Sequence, residues 1–191
     1  MSALGETLQA LADVFEREQL EWFVFGAQAV AAHGAPRATQ DVDVTVQVSR
    51  QRLQGLVASL SDKGLTHRFP EIADELMRSG AVLPLEHPSG MEVDLVLAGS
   101  GLEALALERA IPLVLDGVSV PVAHPTDLVV MKVLAGRGKD LDDVRALLAT
   151  QRVDLVVVRD LLQQLEQALG QSDLLSRLTL CQSFNGDGHG G

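Results

Sequence analysis

Apolar residues at Leu4, Leu8, Leu11, Ala12 and Phe15 recur at helical spacing and predict a helix over residues 4–19. Trp22 to Phe25 is a short apolar run ended by Gly26, the pattern of a buried strand. Ala27 to His33 reads as a helix closed by Gly34 and Pro36. The period then drops to two. From Asp41 to Val48, Val42, Val44, Val46 and Val48 fall on one face and Asp41, Asp43, Thr45 and Gln47 on the other, which predicts a half-buried strand. Gln51 to Leu60 is helical, Leu65 to Phe69 a short strand, and Glu71 to Arg78 a short helix or turn. Ala81–Glu86 and Met91–Leu97 flank Pro88-Ser89-Gly90 and predict a hairpin. Leu102 to Ala110 is helical. A second hairpin, Ile111–Leu115 and Val118–Pro121, turns at Asp116-Gly117.

Beyond Pro125 the strand signal stops. Residues 126–134, 141–148, 155–169 and 173–180 all carry helical patterns. The expected organisation is a mixed core over residues 1–124, a helical C-terminal subdomain over 125–182, and a disordered Gly-rich tail over 183–191. The fold class is α/β (α+β): a small mixed sheet with flanking helices, followed by a helical bundle.

Composition narrows the function classes. The 191 residues are 47% hydrophobic and 3% aromatic, enough for a core that needs no staples. With 15 basic and 26 acidic residues the net charge is −11, which argues against a general nucleic-acid binder while leaving room for a metal site or a cationic small substrate. A single cysteine, Cys181, excludes an internal disulfide and suits a reducing cytoplasm, the expected location. Met1-Ser2-Ala3-Leu4 begins no basic-then-apolar leader, and no run of ~20 apolar residues is present to span a membrane.

The chemistry concentrates in three acids. Asp41 and Asp43, two residues apart on a strand, point to the same side. Asp94 lies in Met91-Glu92-Val93-Asp94-Leu95-Val96-Leu97, where Glu92, Asp94 and Val96 share one face. If the two strands are neighbours, three carboxylates converge. Such a set suits hard Mg²⁺, which takes oxygen ligands and keeps positions open for phosphates. Two such ions stabilise the entering and leaving oxygens of an in-line displacement. Gly26 follows a strand and opens a helix, a turn whose amides can face an anion. Arg37 offers a fork to phosphate or, equally, a salt bridge to Asp41. Asp140 and Asp143 read as cap and first-turn acids, His33, His67, His87 and His124 lack metal-ligand spacing, and Cys181 reads as packing.

Taken together, the turn at Gly26, the segment Arg37-Ala38-Thr39-Gln40-Asp41-Val42-Asp43 and the later strand Asp94 resemble the polymerase-β-like nucleotidyltransferase superfamily, nearest to minimal nucleotidyltransferases of the AbiEii toxin type. The stretch from Pro125 through Lys132 to Arg137-Gly138-Lys139-Asp140-Leu141-Asp142-Asp143 adds to the likeness, which covers residues 20–148. The resemblance implies that Asp41 and Asp43 bind two Mg²⁺ ions and that Asp94 binds the catalytic one and assists deprotonation of the acceptor. It implies that Gly26, Ala27 and Gln28 cradle the β- and γ-phosphates of an NTP. Lys132 would neutralise the triphosphate, with Arg37 or Lys139 helping; the plain alternative for Lys132 is a snorkelling surface lysine. Where the family has Gly-Gly or Gly-Ser, this chain has Gly26-Ala27, which keeps the amide and lacks a hydroxyl. The expected reaction is nucleotidyl transfer to an acceptor hydroxyl. The expected acceptor is tRNA or a protein side chain, as for a toxin with an antitoxin partner; the alternative is a small cationic molecule such as an aminoglycoside-like antibiotic. A catalytically silent nucleotide-binding module is the other reading, and a phosphohydrolase a third.

Overall fold

The computed structural model describes residues 2–35, 39–79, 82–99 and 101–183. Arg37, Ala81 and the Gly-rich tail beyond residue 183, each part of an expectation above, lie outside the described residues. The strands are β1 (Trp22–Phe25), β2 (Asp41–Val46), β3 (Thr66–His67), β4 (Val82–Glu86), β5 (Glu92–Leu97), β6 (Ile111–Leu115) and β7 (Val118–Val122). The helices are α1 (Ala3–Arg17), α2 (Gly26–Ala32), α3 (Arg50–Asp62), α4 (Ala73–Ser79), α5 (Gly101–Arg109), α6 (Pro125–Ala135), α7 (Gly138–Ala149), α8 (Leu155–Leu169) and α9 (Leu174–Ser183). The mixed α/β class and both hairpins are as expected. The stretch before α4 starts as a 3-10 turn, Pro70–Ile72, with Pro70 at its first position, where no backbone donor is needed. Contacts group residues 1–28 and 38–123 into one compact unit, and residues 29–37 and 124–191 into another.

The first unit is built on one seven-stranded sheet in the order β3-β4-β5-β2-β1-β7-β6. Strands β2 and β5 run parallel in register, β1 is antiparallel to β2, and β7 runs parallel to β1. Both hairpins, β4–β5 and β6–β7, thereby become parts of one sheet. Val42, Val44, Val46, Val93 and Leu95 are all fully buried, so the apolar face of β2 continues across β5. The stripe Leu8, Leu11, Val14 and Phe15 of α1 is likewise sealed, and Phe15 packs on Trp22 with ring centroids 5.0 Å apart. On the opposite face the ends of β1 and β2 differ. Phe23 and Thr45, in register, are buried, whereas Asp41 and Asp43 are half-exposed at the start of β2.

In the second unit α6 packs with α7, α8 and α9. Leu128, Val129, Val130 and Val133 are fully buried, which explains why α6 shows apolar residues all round. Lys132 is buried among them. Its ammonium sits 3.2 Å from Asp140 Oδ1 and 2.8 Å from Asp143 Oδ2, both on α7. Arg137 Nε donates to Asp140 Oδ2 at 2.5 Å, and the Arg137 backbone N–H donates to the same oxygen at 3.3 Å. Burial pushes the Asp140 carboxyl up, but hydrogen bonds and charge from Arg137 and Lys132 outweigh it and hold the group below the usual carboxylate range. Asp140 is therefore both a first-turn acid, as expected, and a partner of Lys132.

This cluster makes a pH-dependent prediction. A carboxyl whose folded pKa lies below its unfolded value stabilises the fold above about pH 4 and loses that contribution as pH falls through the folded pKa. Asp140→Asn should therefore destabilise the chain by about 1.5–3 kcal/mol near neutral pH. Urea unfolding should show the difference from wild type shrinking below about pH 4; an unchanging difference across that range would contradict the account.

Candidate active site

The acid row follows from strand pairing. In parallel strands, residues in register share a face, and Asp43 pairs with Asp94 while Asp41 pairs with Glu92. Neighbouring strands lie about 4.8 Å apart. Alternation keeps each column on one side, so Asp41 and Asp43 on β2 face the same way as Glu92 and Asp94 on β5. The three acids read from the sequence are thus brought to adjoining positions, and the row contains a fourth, Glu92. The alternation of β5 had placed Glu92 beside Asp94, but what makes it part of a site is its register with Asp41.

Gly26 closes one end of the row. Because β1 is antiparallel to β2, its last residue Phe25 pairs with Asp43 and the following turn lies against that carboxylate. Gly26 has φ +67°, a conformation that side chains resist. A Cβ added there would overlap the Asp43 carboxyl, 2.6 Å from its Cγ. Glycine is thus required both by backbone conformation and by the close approach of Asp43. Ala27 is buried and Gln28 half-buried in the first turn of α2. Thr39 donates its hydroxyl to Asp41 Oδ1, which orients that carboxylate at the strand entrance.

Arg68, one residue beyond β3, was not singled out by sequence. Its Nη1 donates to Glu92 Oε2 and its Nη2 to Asp94 Oδ1, so one guanidinium bridges both acids of β5. Its backbone N–H donates to Pro84 O at 3.0 Å, which carries the chain past β3 alongside β4. Only long-range pairing of β3, β4 and β5 brings residue 68 to residue 94, and no local motif signals that. The row fits a magnesium-type ion by donor chemistry: hard carboxylate oxygens on adjacent strands, with Asp41, Asp43 and Asp94 the residues that would hold it. Among the described residues no three acidic, His or Cys side chains are already gathered around one point.

The remaining expected residues lie as follows. Lys132 is engaged by Asp140 and Asp143 in the helical unit, while Lys139 is exposed at the start of α7. His67 has both ring nitrogens buried, with no hydrogen-bond partner among the described residues, and burial lowers its pKa. Burial likewise raises the thiol of Cys181, in keeping with packing. Beside the acid row is an open cleft of about 580 Å³ lined by Thr39, Gln40, Asp41, Gly90 and Glu92. Among the described residues, the charged ones that line it are both carboxylates.

The chain resembles two solved structures in fold. The solution structure of the antibiotic-resistance factor ANT(2'')-Ia aligns with a TM-score of 0.59 at 16% identity, covering 89% of this chain and 97% of that one. The crystal structure of ANT(2'')-Ia in complex with adenylyl-2''-tobramycin aligns with a TM-score of 0.51 at 14% identity, covering 93% and 96%. No curated protein matches the sequence. A family model does, over residues 2–178. The mixed sheet is therefore that of a nucleotidyltransferase enzyme, and the chain belongs to the family described as nucleotidyltransferases of unknown function, DUF6036.

Proposed function

We propose that this enzyme moves a nucleoside monophosphate from an NTP to the hydroxyl of a small cationic acceptor, with Mg²⁺ held by Asp41, Asp43 and Asp94. The observation that carries the reading is the in-register pairing of Asp43 with Asp94 beside Gly26. Bound Mg²⁺ would supply charge neutralisation of the phosphates and lower the pKa of the attacking hydroxyl. Asp94 takes the acceptor's proton. The acceptor oxygen bonds to the α-phosphorus as the bond to the β-phosphate oxygen breaks, and pyrophosphate leaves with that electron pair. The backbone amides of Gly26, Ala27 and Gln28 face the phosphates, so Ala27 can serve without a hydroxyl. Gly26 also gives the Asp43 carboxylate its space. Lys132, paired with two buried carboxylates, holds α6 to α7.

The acidic cleft supports the choice of acceptor. Asp41 and Glu92 line it, and the whole chain carries a net charge of −11. Such a field attracts cations and repels a nucleic-acid backbone. A protein of the same fold is seen with adenylyl-2''-tobramycin, a nucleotide joined to a small molecule, and the reading carries that kind of pairing over to this chain. The toxin-type alternative, with tRNA or a protein as acceptor and an antitoxin partner, rests on the sequence resemblance to AbiEii-type proteins.

Three outcomes are expected. With labelled NTP and Mg²⁺, label should pass to aminoglycosides or other hydroxyl-bearing amines and not to total tRNA; labelled tRNA or protein would favour the toxin reading. Absence of NTP binding at millimolar concentration would leave neither. Asp43→Asn and Asp94→Asn should each lower transfer by about 10²–10³-fold or more, with little change in Tm. Gly26→Ala should also lose transfer, and it should cost about 1–2 kcal/mol of stability through the left-handed backbone; full activity in that variant would contradict the close approach to Asp43.

A further inference from the structure

Four carboxylates in two adjacent columns repel one another unless a cation is near. A cation beside two of them is Arg68. Glu92 and Asp94 are two residues apart on β5, so their side chains rise from the same face about 7 Å apart along the strand. A guanidinium carries five donors in a flat fork and can reach across such a gap. Arg68 does so, giving one nitrogen to Glu92 Oε2 and the other to Asp94 Oδ1. The side chain is mostly enclosed, 19% exposed, and packs its guanidinium 5.9 Å from the Phe69 ring centroid. Its Nε is buried without a hydrogen-bond partner among the described residues, so the group is held by the two acids and the ring and not by a full set of hydrogen bonds.

We propose that Arg68 and a divalent cation compete for the Asp94 carboxylate, so that this arginine sets the site's cation affinity. The proposal rests on the reading that Asp94 is a metal ligand. Asp94 Oδ1 accepts from Arg68 Nη2, and the same guanidinium holds Glu92 through Nη1. Charge decides the direction of the effect. A guanidinium bound to Asp94 competes with a divalent ion for the same oxygen and repels it, so removing the guanidinium strengthens cation binding. Glu92 gives Arg68 somewhere to stay: its pairing with Nη1 is independent of Asp94, and release of Asp94 leaves the arginine anchored on the next acid of the strand. Arg68 is a positioning residue in this account, acting on the reaction through Asp94.

The test measures cation binding directly. Mg²⁺ would be titrated calorimetrically into the full-length wild type, Arg68→Gln, Arg68→Lys and Asp43→Asn. Arg68→Gln should bind Mg²⁺ about tenfold or more tightly than wild type, since a full like charge leaves the site; Arg68→Lys, which keeps the charge, should stay nearer wild type. In wild-type protein, the Arg68 Nε–Hε resonance should shift as Mg²⁺ saturates the site, a readout that needs no variant to fold. Unchanged or weaker Mg²⁺ binding in folded Arg68→Gln, or a resonance unmoved at saturation, would overturn the proposal. If Asp43→Asn binds Mg²⁺ as well as wild type does, or wild type does not bind it, the metal-site reading itself fails and the role of Arg68 falls with it.

Discussion

The register of β2 against β5 is the constraint on which the site depends. Asp43 opposite Asp94 and Asp41 opposite Glu92 give two like-charged pairs on one face. The same register puts Val42, Val44 and Val46 with Val93 and Leu95 in the core. A slip of one residue would exchange the two faces, burying carboxylates and exposing valines. The apolar side thus enforces an arrangement that the acidic side resists. Gly26 and Arg68 then follow as local consequences: one removes a side chain where the Asp43 carboxylate needs room, the other brings a positive charge to the β5 acids.

The chain contains two ionic clusters of different character. In the helical unit Lys132, Asp140 and Asp143 are buried, and the exposed Arg137 caps Asp140 from the surface, so the charges balance. Such a cluster is expensive to break from one side, because the remaining charge is left buried. In the sheet unit Arg68 pairs with two acids of the row, Glu92 and Asp94, and the row borders an open cleft. Balanced and buried charge suits a structural fastening. Acids in excess at an open cleft suit the binding of cations and of substrates that carry them.

Much of this was legible in sequence because it is local. Period-two alternation marked β2 and β5, Asp116-Gly117 marked the second hairpin, and helical spacing marked α1 and α6 to α9. Alternation put Asp41 with Asp43 on one face and Asp94 on another strand's face, and the resemblance to nucleotidyltransferases singled them out. Their adjacency could not be read locally, since it arises from parallel pairing of strands nearly fifty residues apart, and nothing local specifies which strand lies beside β2. Arg68 was invisible for the same reason: its short strand gives little pattern, and its partners lie across a hairpin. Lys132 shows the converse. Its place in a motif suggested phosphate, while the acids that engage it were in view eight and eleven residues later; helix-to-helix packing, absent from any local rule, joins them.

The claim that the register of β2 and β5 builds a metal site for nucleotidyl transfer is tested most directly by a crystal structure with Mg²⁺ and a non-hydrolysable NTP analogue. The account predicts Mg²⁺ at about 2.0–2.1 Å from oxygens of Asp43 and Asp94, with the triphosphate beside Gly26 and Arg68 released from Asp94. A nucleotide bound elsewhere, or a magnesium ion that touches neither carboxylate, would contradict it.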